Sequence, residues 1–508
     1  MISIEEMAAF CKRRGFVYAT SEIYGGIAGF FDYGPLGVEL KNNIKKEWWK
    51  FHVLSREDLV GIDSAIVTHP KVWDASGHLN SFQDIMIECG NCHERYRADV
   101  LVEEKTKKRA DGFSAQKLGQ LIKKHKIKCE KCGKDTLGKP APFNLMFETY
   151  VGAKRDEEAK AYLRPETAQT IFTNFKLVQE NARLKLPFGI AQIGKAFRNE
   201  ISPRHFLFRS REFEQMEIEY FVHPSKLREC PYVKDISDYE ILVYSADMQK
   251  NDFKPKKMKI KSALSKNVIN NPWHAYWLFI EHNWFVSLGV NSDDLRIRQH
   301  LKDELSHYST DTWDLEYNFP FGWKELLGVA DRGDYDLQQH MKHSKKDLSL
   351  FDDEKKKRFV PHVIAEPSLG VDRAFLVFMY NAYNHDKKRE NVVLKLHPKL
   401  APIKVAVFPL LSNKKELVEK AKEVFDLLKE EFNCFFDVGG SIGRRYFRGD
   451  EAGTLYGVTI DFDSLKKKEV TVRDRDTQKQ IRVKVKDLKD VVNRLLKGEK
   501  LSKFGKFI

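Results

Sequence analysis

The sequence predicts a mixed α/β protein built from more than one domain, and three observations carry that expectation. The chain has 508 residues, 42% of them hydrophobic, enough apolar material for two or more packed cores. Residues 189–222 read as two strands joined by a polar loop, with apolar side chains at alternate positions of the second strand. Beyond Pro398 and Pro402, strand-like runs alternate with an amphipathic helix.

The same composition excludes some functions. No apolar run approaches the roughly 18 residues needed to cross a bilayer, so no membrane partner is expected. The first residues carry acids and no apolar segment, so no secretory signal is expected and the cytoplasm is the expected location. Lys and Arg number 87 against 73 Asp and Glu, a net charge of +14. That balance suits a polyanionic partner, although a basic surface also serves plain solubility.

Taken in order, residues 4–14 fit a helix. A glycine-rich stretch follows at 24–37, and then a helix over 38–52, where Leu40, Ile44 and Trp48 recur at the spacing of a buried stripe. Residues 89–132 read as an insertion, bounded by cysteine pairs and lysine-rich at 105–109 and 117–128. Strand-like sequence resumes near Phe143. The polar, lysine-rich run 225–266 reads as a second insertion or an irregular helical excursion, and 340–358 as a solvated loop or helix. Two prolines mark a boundary near 397. Past it, 404–408, 417–432, 434–438 and 456–461 read strand, helix, strand, strand. The expected domains are 1–88 with 133–396, the insertion 89–132, and 397–508.

Seven cysteines, an odd number, speak against a disulfide framework. Four form two C-x-x-C pairs, Cys89 with Cys92 and Cys129 with Cys132, separated by 36 residues. Two such turns can present four thiolates to a tetrahedral zinc ion, a structural site without an open position; the alternative is reduced thiols on a surface insertion.

In the second strand of the 189–222 hairpin, Met216, Ile218, Tyr220 and Val222 share one face, and Phe213, Gln215, Glu217 and Glu219 the other. In the first strand, Gln192, Arg198 and Glu200 fall together. One side would pack, and the other would offer arginine, carboxylates and a ring. A guanidinium fork suits phosphate oxygens and a ring suits a base, so this floor fits a nucleotide. An amphipathic hairpin with salt bridges on its wet face is the plainer alternative. Residues 359–373 then pass from a strand into an apolar helix. Arg373 falls at the helix start, where guanidinium and backbone N–H groups can hold a polyphosphate together.

These segments resemble the three signature motifs of class II aminoacyl-tRNA synthetases. Gly34-Pro35-Leu36-Gly37 and its helix resemble the dimer-interface motif. Phe197-Arg198-Asn199-Glu200 with Phe208-Arg209-Ser210-Arg211-Glu212-Phe213 resembles the strand–loop–strand motif, and Gly370-Val371-Asp372-Arg373 the strand–helix motif. Within the class, Tyr33 to Gly37, Leu163 to Gln169, Phe213 to Glu217, Glu325 to Leu337 and Glu366-Pro367-Ser368 resemble the homodimeric glycyl-tRNA synthetases, over most of the chain. Ala365 departs from the pattern, lengthening the familiar Val-Ile-Glu-Pro-Ser wording by one residue.

The resemblance implies an antiparallel-sheet catalytic domain, a zinc-ribbon-like insertion and a C-terminal α/β anticodon-binding domain. It implies a homodimer that activates glycine with ATP and Mg²⁺ and passes the glycyl group to tRNA(Gly). Arg198, at the α-phosphate, and Arg373 are the implied catalytic residues. ATP falls to Arg198, Asn199, Glu200, Phe208, Arg209, Ser210, Arg211, Glu212 and Phe213, with Glu325, Leu326, Gly370, Val371, Asp372 and Arg373. Among these Glu200 meets the adenine edge, Phe213 stacks on the base, and Arg209 with Arg373 grips the outer phosphates. Glu325 is the implied Mg²⁺ ligand. Glycine falls to Glu166, Phe213, Glu214, Gln215, Met216, Glu217, Glu366, Pro367, Ser368, Leu369 and Gly370, with Arg97 reaching in to close over it. The four paired cysteines are the implied zinc ligands. Prolyl, threonyl and histidyl enzymes share the C-terminal domain type, but the carboxylate-rich pocket favours glycine. A non-catalytic nucleic-acid-binding relative would be expected to lose Arg198 or Arg373, and both are present. In the C-terminal domain Arg444, Arg445, Arg448 and residues 466–468 are expected to meet tRNA.

Overall fold

A computed structural model describes residues 1–108, 110, 112–306 and 309–508. Arg109, the end of the basic run 105–109, lies outside the described residues.

Helix Ile4–Arg14 is set by its ends: Ser3 and Glu6 form a capping box, and Gly15 closes it at φ 77°. The next helix is Pro35–Trp49, earlier than the expected 38–52, and it runs on into a wide turn, Lys50–Leu54. It starts at Pro35 because proline at the first helical position gives up an N–H that would lack a partner. Gly37 in that first turn lies against Phe16, where a Cβ would stand 1.8 Å from the carbonyl oxygen. The Gly-Pro-Leu-Gly run is thus a packed helix start.

The core of the molecule is a nine-stranded sheet. In chain order its strands are β1 (Leu59–Ile62), β2 (Phe188–Phe197), β3 (Glu212–Val222), β4 (Glu240–Tyr244), β5 (Lys256–Lys259), β6 (Leu295–Gln299), β7 (Asp311–Phe319), β8 (Gly322–Asp331) and β9 (His362–Gly370). The spatial order is β5-β4-β6-β7-β8-β9-β3-β2-β1. Pairing is antiparallel except where β1 joins β2 and β4 joins β6. Met216, Ile218, Tyr220 and Val222 are buried on one face, as their alternation requires. Helices Pro272–Ser287 and Val371–Ala382 pack against the sheet and bury Trp277, Trp284, Phe375 and Phe378.

Three expectations are corrected. Strand β2 ends at Phe197, so Arg198 and Glu200 belong to the loop after it and not to the strand. The run 225–266 is not an independent excursion: it supplies β4 and β5, the edge of the main sheet, because Ile241 and Val243 of β4, and Met258 between two lysines of β5, turn inward. The run 340–358 holds the end of helix Tyr335–Ser344 and a small hairpin, Leu350–Asp352 with Lys357–Phe359, with His340 and Leu348 buried. The extra residue noted at Ala365 appears as a register shift: Tyr220 pairs with Ala365 and Phe221 with Val363, skipping Ile364. The bulge absorbs the insertion before Glu366, and the pairing beyond it is regular.

Around the cysteines, Arg95–Arg97, Gln83–Glu88 and Ala141–Asn144 form a small sheet. With helices Ala98–Thr106 and Ala115–Lys124 they enclose a separate apolar cluster of Ile87, Leu101, Val102, Leu118, Ile122 and Ile127. The strands carrying this unit begin before Cys89 and end after Cys132.

The C-terminal sheet has five strands: β10 (Val405–Pro409), β11 (Cys434–Phe436), β12 (Tyr456–Ile460), β13 (Glu469–Asp474) and β14 (Gln480–Lys484), in the order β11-β10-β12-β13-β14. β10 runs parallel to β11 and β12, and the remaining pairs are antiparallel. Helix Lys415–Lys429 buries Leu417, Ala421, Val424 and Leu428 against it. Asn43 donates to Leu400 O and Ala401 O at 3.1 Å, and Arg14 pairs with Glu451, joining this unit to the N-terminal helices.

Candidate active site

The sheet face opposite the buried one floors a cavity of about 330 Å³. Register explains its shape. Glu217 of β3 pairs with Ser368 of β9, Ser368 with Gly328 of β8, and Gly328 with Asp314 of β7. In the adjacent row Glu366 pairs with Ala330, and Ala330 with Thr312. Small residues occupy the middle of the floor, and long acidic ones stand at its ends.

One end is a buried cluster of carboxylates around Arg332. That guanidinium donates to Glu366 Oε1 at 2.7 Å and to both oxygens of Asp336 at 2.8 and 3.0 Å, and its Nη2 lies 4.0 Å from Glu166 Oε1. Glu166 also accepts from Gln169 at 3.2 Å and lies 3.3 Å from His78 Nε2. Ser368 Oγ donates to Glu217 Oε1 at 2.6 Å, Thr167 Oγ1 donates to Glu217 Oε2, and Gln215 Nε2 donates to Ser368 Oγ at 3.1 Å. Glu219 is fully buried, and neither of its carboxyl oxygens has a hydrogen-bond partner among the described residues.

Negative charge is in excess here, and the carboxyls respond. Burial, then the charge of Glu166, raises Glu217 above the usual carboxylate range. Burial, then Glu366, raises Glu219 further. Burial also raises Glu366; Arg332 opposes this, while Glu217 and Glu166 add to it. Burial would raise Glu166 as well, but His78, Arg332 and Arg198 outweigh it and hold that carboxyl low. A small cation entering this end would find acceptors already in place.

The other end carries arginines. Arg198 Nε donates to Pro165 O at 3.0 Å, and its guanidinium lies 5.3 Å from the Phe213 ring centre and 5.4 Å from that of Phe82. Arg209 lies 3.7 Å from Glu200. Arg373, in the first turn of Val371–Ala382, donates to Phe208 O at 3.3 Å and packs 4.7 Å from that ring. It also bonds the carbonyl and Oε1 of Glu325, each at 3.1 Å. The Arg373 guanidinium is the main reason the Glu325 carboxyl sits below its usual range. Glu325 is an exposed hard-oxygen donor beside Arg373, a donor type that fits Mg²⁺.

Of the residues singled out from sequence, Glu166, Arg198, Glu200, Phe208, Arg209, Ser210, Phe213, Gln215 and Glu217 line the cavity, as do Glu325, Leu326, Glu366, Ser368, Gly370, Asp372 and Arg373. Others stand elsewhere. Met216, Leu369 and Val371 are buried in the apolar core, because strand alternation turns Met216 and Leu369 away from the cavity. Glu214 is paired with Lys41 and Lys45 at 3.2 and 3.1 Å, on the far side of β3. Glu212 pairs with Lys195. Arg211 bonds the backbone of Glu200 and Ala28 at 2.9 Å. Asn199 and Pro367 do not line the cavity. Arg97 is held by Asp84 at 3.1 Å and by Asp99, beside Arg209 in a neighbouring cleft. Asp372 accepts the Glu214 N–H at 2.8 Å and the Tyr33 hydroxyl, with Lys41 at 3.4 Å, so its carboxylate joins three motifs.

Sequence reasoning did not single out Arg332, Asp336, Gln169, Thr167, His78, His300 and Asp314 as site residues. Arg332 and Asp336 carried a signal, an Arg–Asp pair at i,i+4 inside a motif already quoted. His78 had none, since it comes from a short helix far away in sequence.

The four paired cysteines converge: their Sγ atoms all lie within 4.8 Å of one another. Each pair sits in a tight turn, with Cys89 N bonded to Glu94 O at 2.9 Å and Cys129 N to Lys134 O at 3.0 Å. All four thiols are free of disulfides, and the geometry suits a metal ion. In the C-terminal unit, Arg444 is exposed, but Arg445 is buried and donates to Pro409 O, and Arg448 pairs with Asp437.

Comparison with known proteins agrees with the fold. The family model described as the tRNA synthetase class II core domain (G, H, P, S and T) matches residues 147–382, and that described as the anticodon binding domain matches 404–495. A glycine–tRNA ligase of Acetivibrio thermocellus is 46% identical over 494 residues, covering 96% of this chain and 97% of the relative. One of Caldanaerobacter subterraneus subsp. tengcongensis is 45% identical over 503 residues, covering 98% and 99%. One of Geobacillus thermodenitrificans is 46% identical over 495 residues, covering 96% of each.

Proposed function

The chain belongs to the glycine–tRNA ligases, class II synthetases with an anticodon-binding domain, and from there we propose how its own residues carry the reaction. The enzyme joins glycine to tRNA at the expense of ATP. Glycine binds at the carboxylate end of the cavity, its ammonium held by Glu217, Glu366 and Ser368, with Glu166, Arg332 and Gln215 fixing those groups. ATP lies toward the arginine end, its adenine against Phe213 and Glu200 and its outer phosphates on Arg209 and Arg373.

The glycine carboxylate attacks the α-phosphorus, and pyrophosphate leaves. Arg198 meets the charge that develops on the α-phosphate. The protein forms no covalent bond in this step, so positioning and preorganised charge do the work. Glu325 would hold Mg²⁺, which supplies charge neutralisation on the phosphates. The Cys89, Cys92, Cys129 and Cys132 cluster holds a structural Zn²⁺. The enzyme works as a cytoplasmic homodimer; Ile23 and Tyr24, each 87% exposed just before the Gly-Pro-Leu-Gly helix, support an apolar partner surface there. The C-terminal unit reads the tRNA.

One observation carries this reading: a buried excess of carboxylates and a cluster of arginines share the two ends of one cavity. The test is ATP–pyrophosphate exchange with each amino acid in turn. Glycine alone should support it. Exchange with proline, threonine or histidine and not glycine would reverse the assignment.

A further inference from the structure

His300 and Asp314 stand across the cavity floor from the glutamates, and the assignments above leave them without a task. Both line the cavity. Asp314 ends the row that runs Glu217, Ser368, Gly328. His300 follows β6 directly and donates its backbone N–H to Thr312 O at 2.9 Å, so it ends the row that runs Glu366, Ala330, Thr312. Adjacent strands lie roughly 4.8 Å apart, which puts His300 about 14 Å of backbone from Glu366, with only Ala330 and Thr312 between them. Two inward-reaching side chains at that spacing leave room for a small reacting group.

The ring is oriented. His300 Nε2 lies 2.8 Å from Asp314 Oδ2, and Nδ1 has no hydrogen-bond partner among the described residues. A neutral imidazole donating Nε2–H to a carboxylate keeps its lone pair on Nδ1. Burial works against protonating the ring, but Asp314 on β7, Glu325 on β8 and Glu304 after β6 outweigh it and raise its pKa above the ordinary value. His300 also lines a second cavity of about 590 Å³, together with Lys302, Asp247, Asp311 and Asp331. Three lysines of that cavity, Lys250, Lys266 and Lys302, have no ion-pair partner among the described residues.

We propose that His300, held by Asp314, is the proton acceptor of the second step, in which the terminal ribose of tRNA takes the glycyl group, and that the lysine-lined cavity beside it admits the RNA end. The inference rests on the ligase reading above. The ribose hydroxyl gives its proton to Nδ1 as its oxygen attacks the glycyl carbonyl carbon. The ester C–O bond forms, the mixed-anhydride C–O bond to phosphate breaks, and its electron pair departs on AMP. The proton stays on the imidazolium beside Asp314 until water removes it.

The test is rapid-quench transfer from enzyme-bound glycyl-adenylate to tRNA, measured beside ATP–pyrophosphate exchange, in wild type, His300→Gln and Asp314→Asn. Removing a general base typically costs on the order of 10²–10⁴ in rate. Transfer in His300→Gln should fall in that range and at least tenfold further than exchange, with a smaller loss in Asp314→Asn. Wild-type transfer should rise with pH through one ionisation in the imidazole range, and the substitution should remove that limb. An equal fall in both rates, or undiminished transfer, overturns the proposal. So does a wild-type transfer rate independent of pH, which needs no variant to fold. Wild-type exchange without glycine dependence would instead sink the ligase reading itself.

Discussion

Arg332 donates to Glu366 at 2.7 Å, yet the same guanidinium also serves Asp336 and faces Glu166, so it cannot neutralise the cluster alone. Glu217 and Glu219, in the same buried group, have no ion-pair partner among the described residues. The cluster stores electrostatic strain that an ammonium relieves.

Glycine affinity should therefore depend on pH in a definite direction. Glu366 is pushed up to about 8, mainly by burial, so it is largely protonated at neutral pH in the free enzyme. Ammonium binding favours the ionised form and expels a proton. The KM for glycine should rise as pH falls from 9 to 6, by up to about tenfold per unit below the raised value for one linked proton. A KM that stays flat across this range would remove the linkage.

Glu219 gives a stability counterpart. Its carboxyl is raised well above the ordinary value by burial and by Glu366. The folded protein then binds this proton more tightly than the unfolded chain, so the stability it contributes is present at low pH and is lost as pH rises through the raised value. Glu219→Met should stabilise the fold at pH 8 by about 1–3 kcal/mol, with a smaller gain near pH 5. Denaturant melts at the two pH values measure this, and a larger gain at pH 5 contradicts it.

Arg198→Ala should lower glycine-dependent ATP–pyrophosphate exchange by on the order of 10²–10³, because a preorganised charge is removed where it matters most, in the transition state. Glycine binding, read by equilibrium titration, should weaken far less. Near-normal exchange would take this residue out of the site.

The purified enzyme should carry about one zinc per chain, in keeping with a tetrahedral four-thiolate site. Cys129→Ser should lower the metal content and loosen the apolar cluster of Leu101, Val102, Leu118 and Ile122 packed beside it. Elemental analysis with limited proteolysis of residues 83–144 follows both. A metal-free, protease-resistant and active preparation would refute the assignment.

Arg444 and Lys466 are exposed on the C-terminal unit, whereas Arg445 is spent on Pro409 O. Arg444→Ala with Lys466→Ala should raise the KM for tRNA and reduce its salt slope by roughly one for each phosphate no longer neutralised. Exchange without tRNA should stay within about twofold. An unchanged salt slope would place the RNA elsewhere.

Much of the local structure was legible. Ser3, Glu6 and Gly15 write both ends of the first helix, and the alternation of 213–222 tells which face of β3 is buried. Reading failed where a segment's neighbours decide its form. The lysine-rich 256–259 run looks like a solvated excursion, but a lysine-bearing strand is what a sheet edge accepts, and only its place beside β4 makes it one.

Motifs, helix caps, strand faces and cysteine pairs can be read along the chain, because each depends on residues within a few positions of one another. Which charges meet cannot be read that way and is settled by the folded sheet. Glu166 precedes a helix, Glu217 and Glu219 lie on β3, Asp336 is on the helix after β8, and Glu366 is on β9, some 200 residues from end to end. The sheet order β6-β7-β8-β9-β3 brings them to one end of a cavity and sets His300 and Asp314 across its floor. That order is fixed by which non-consecutive strands bury their apolar faces together, a long-range packing choice that no short window of sequence records.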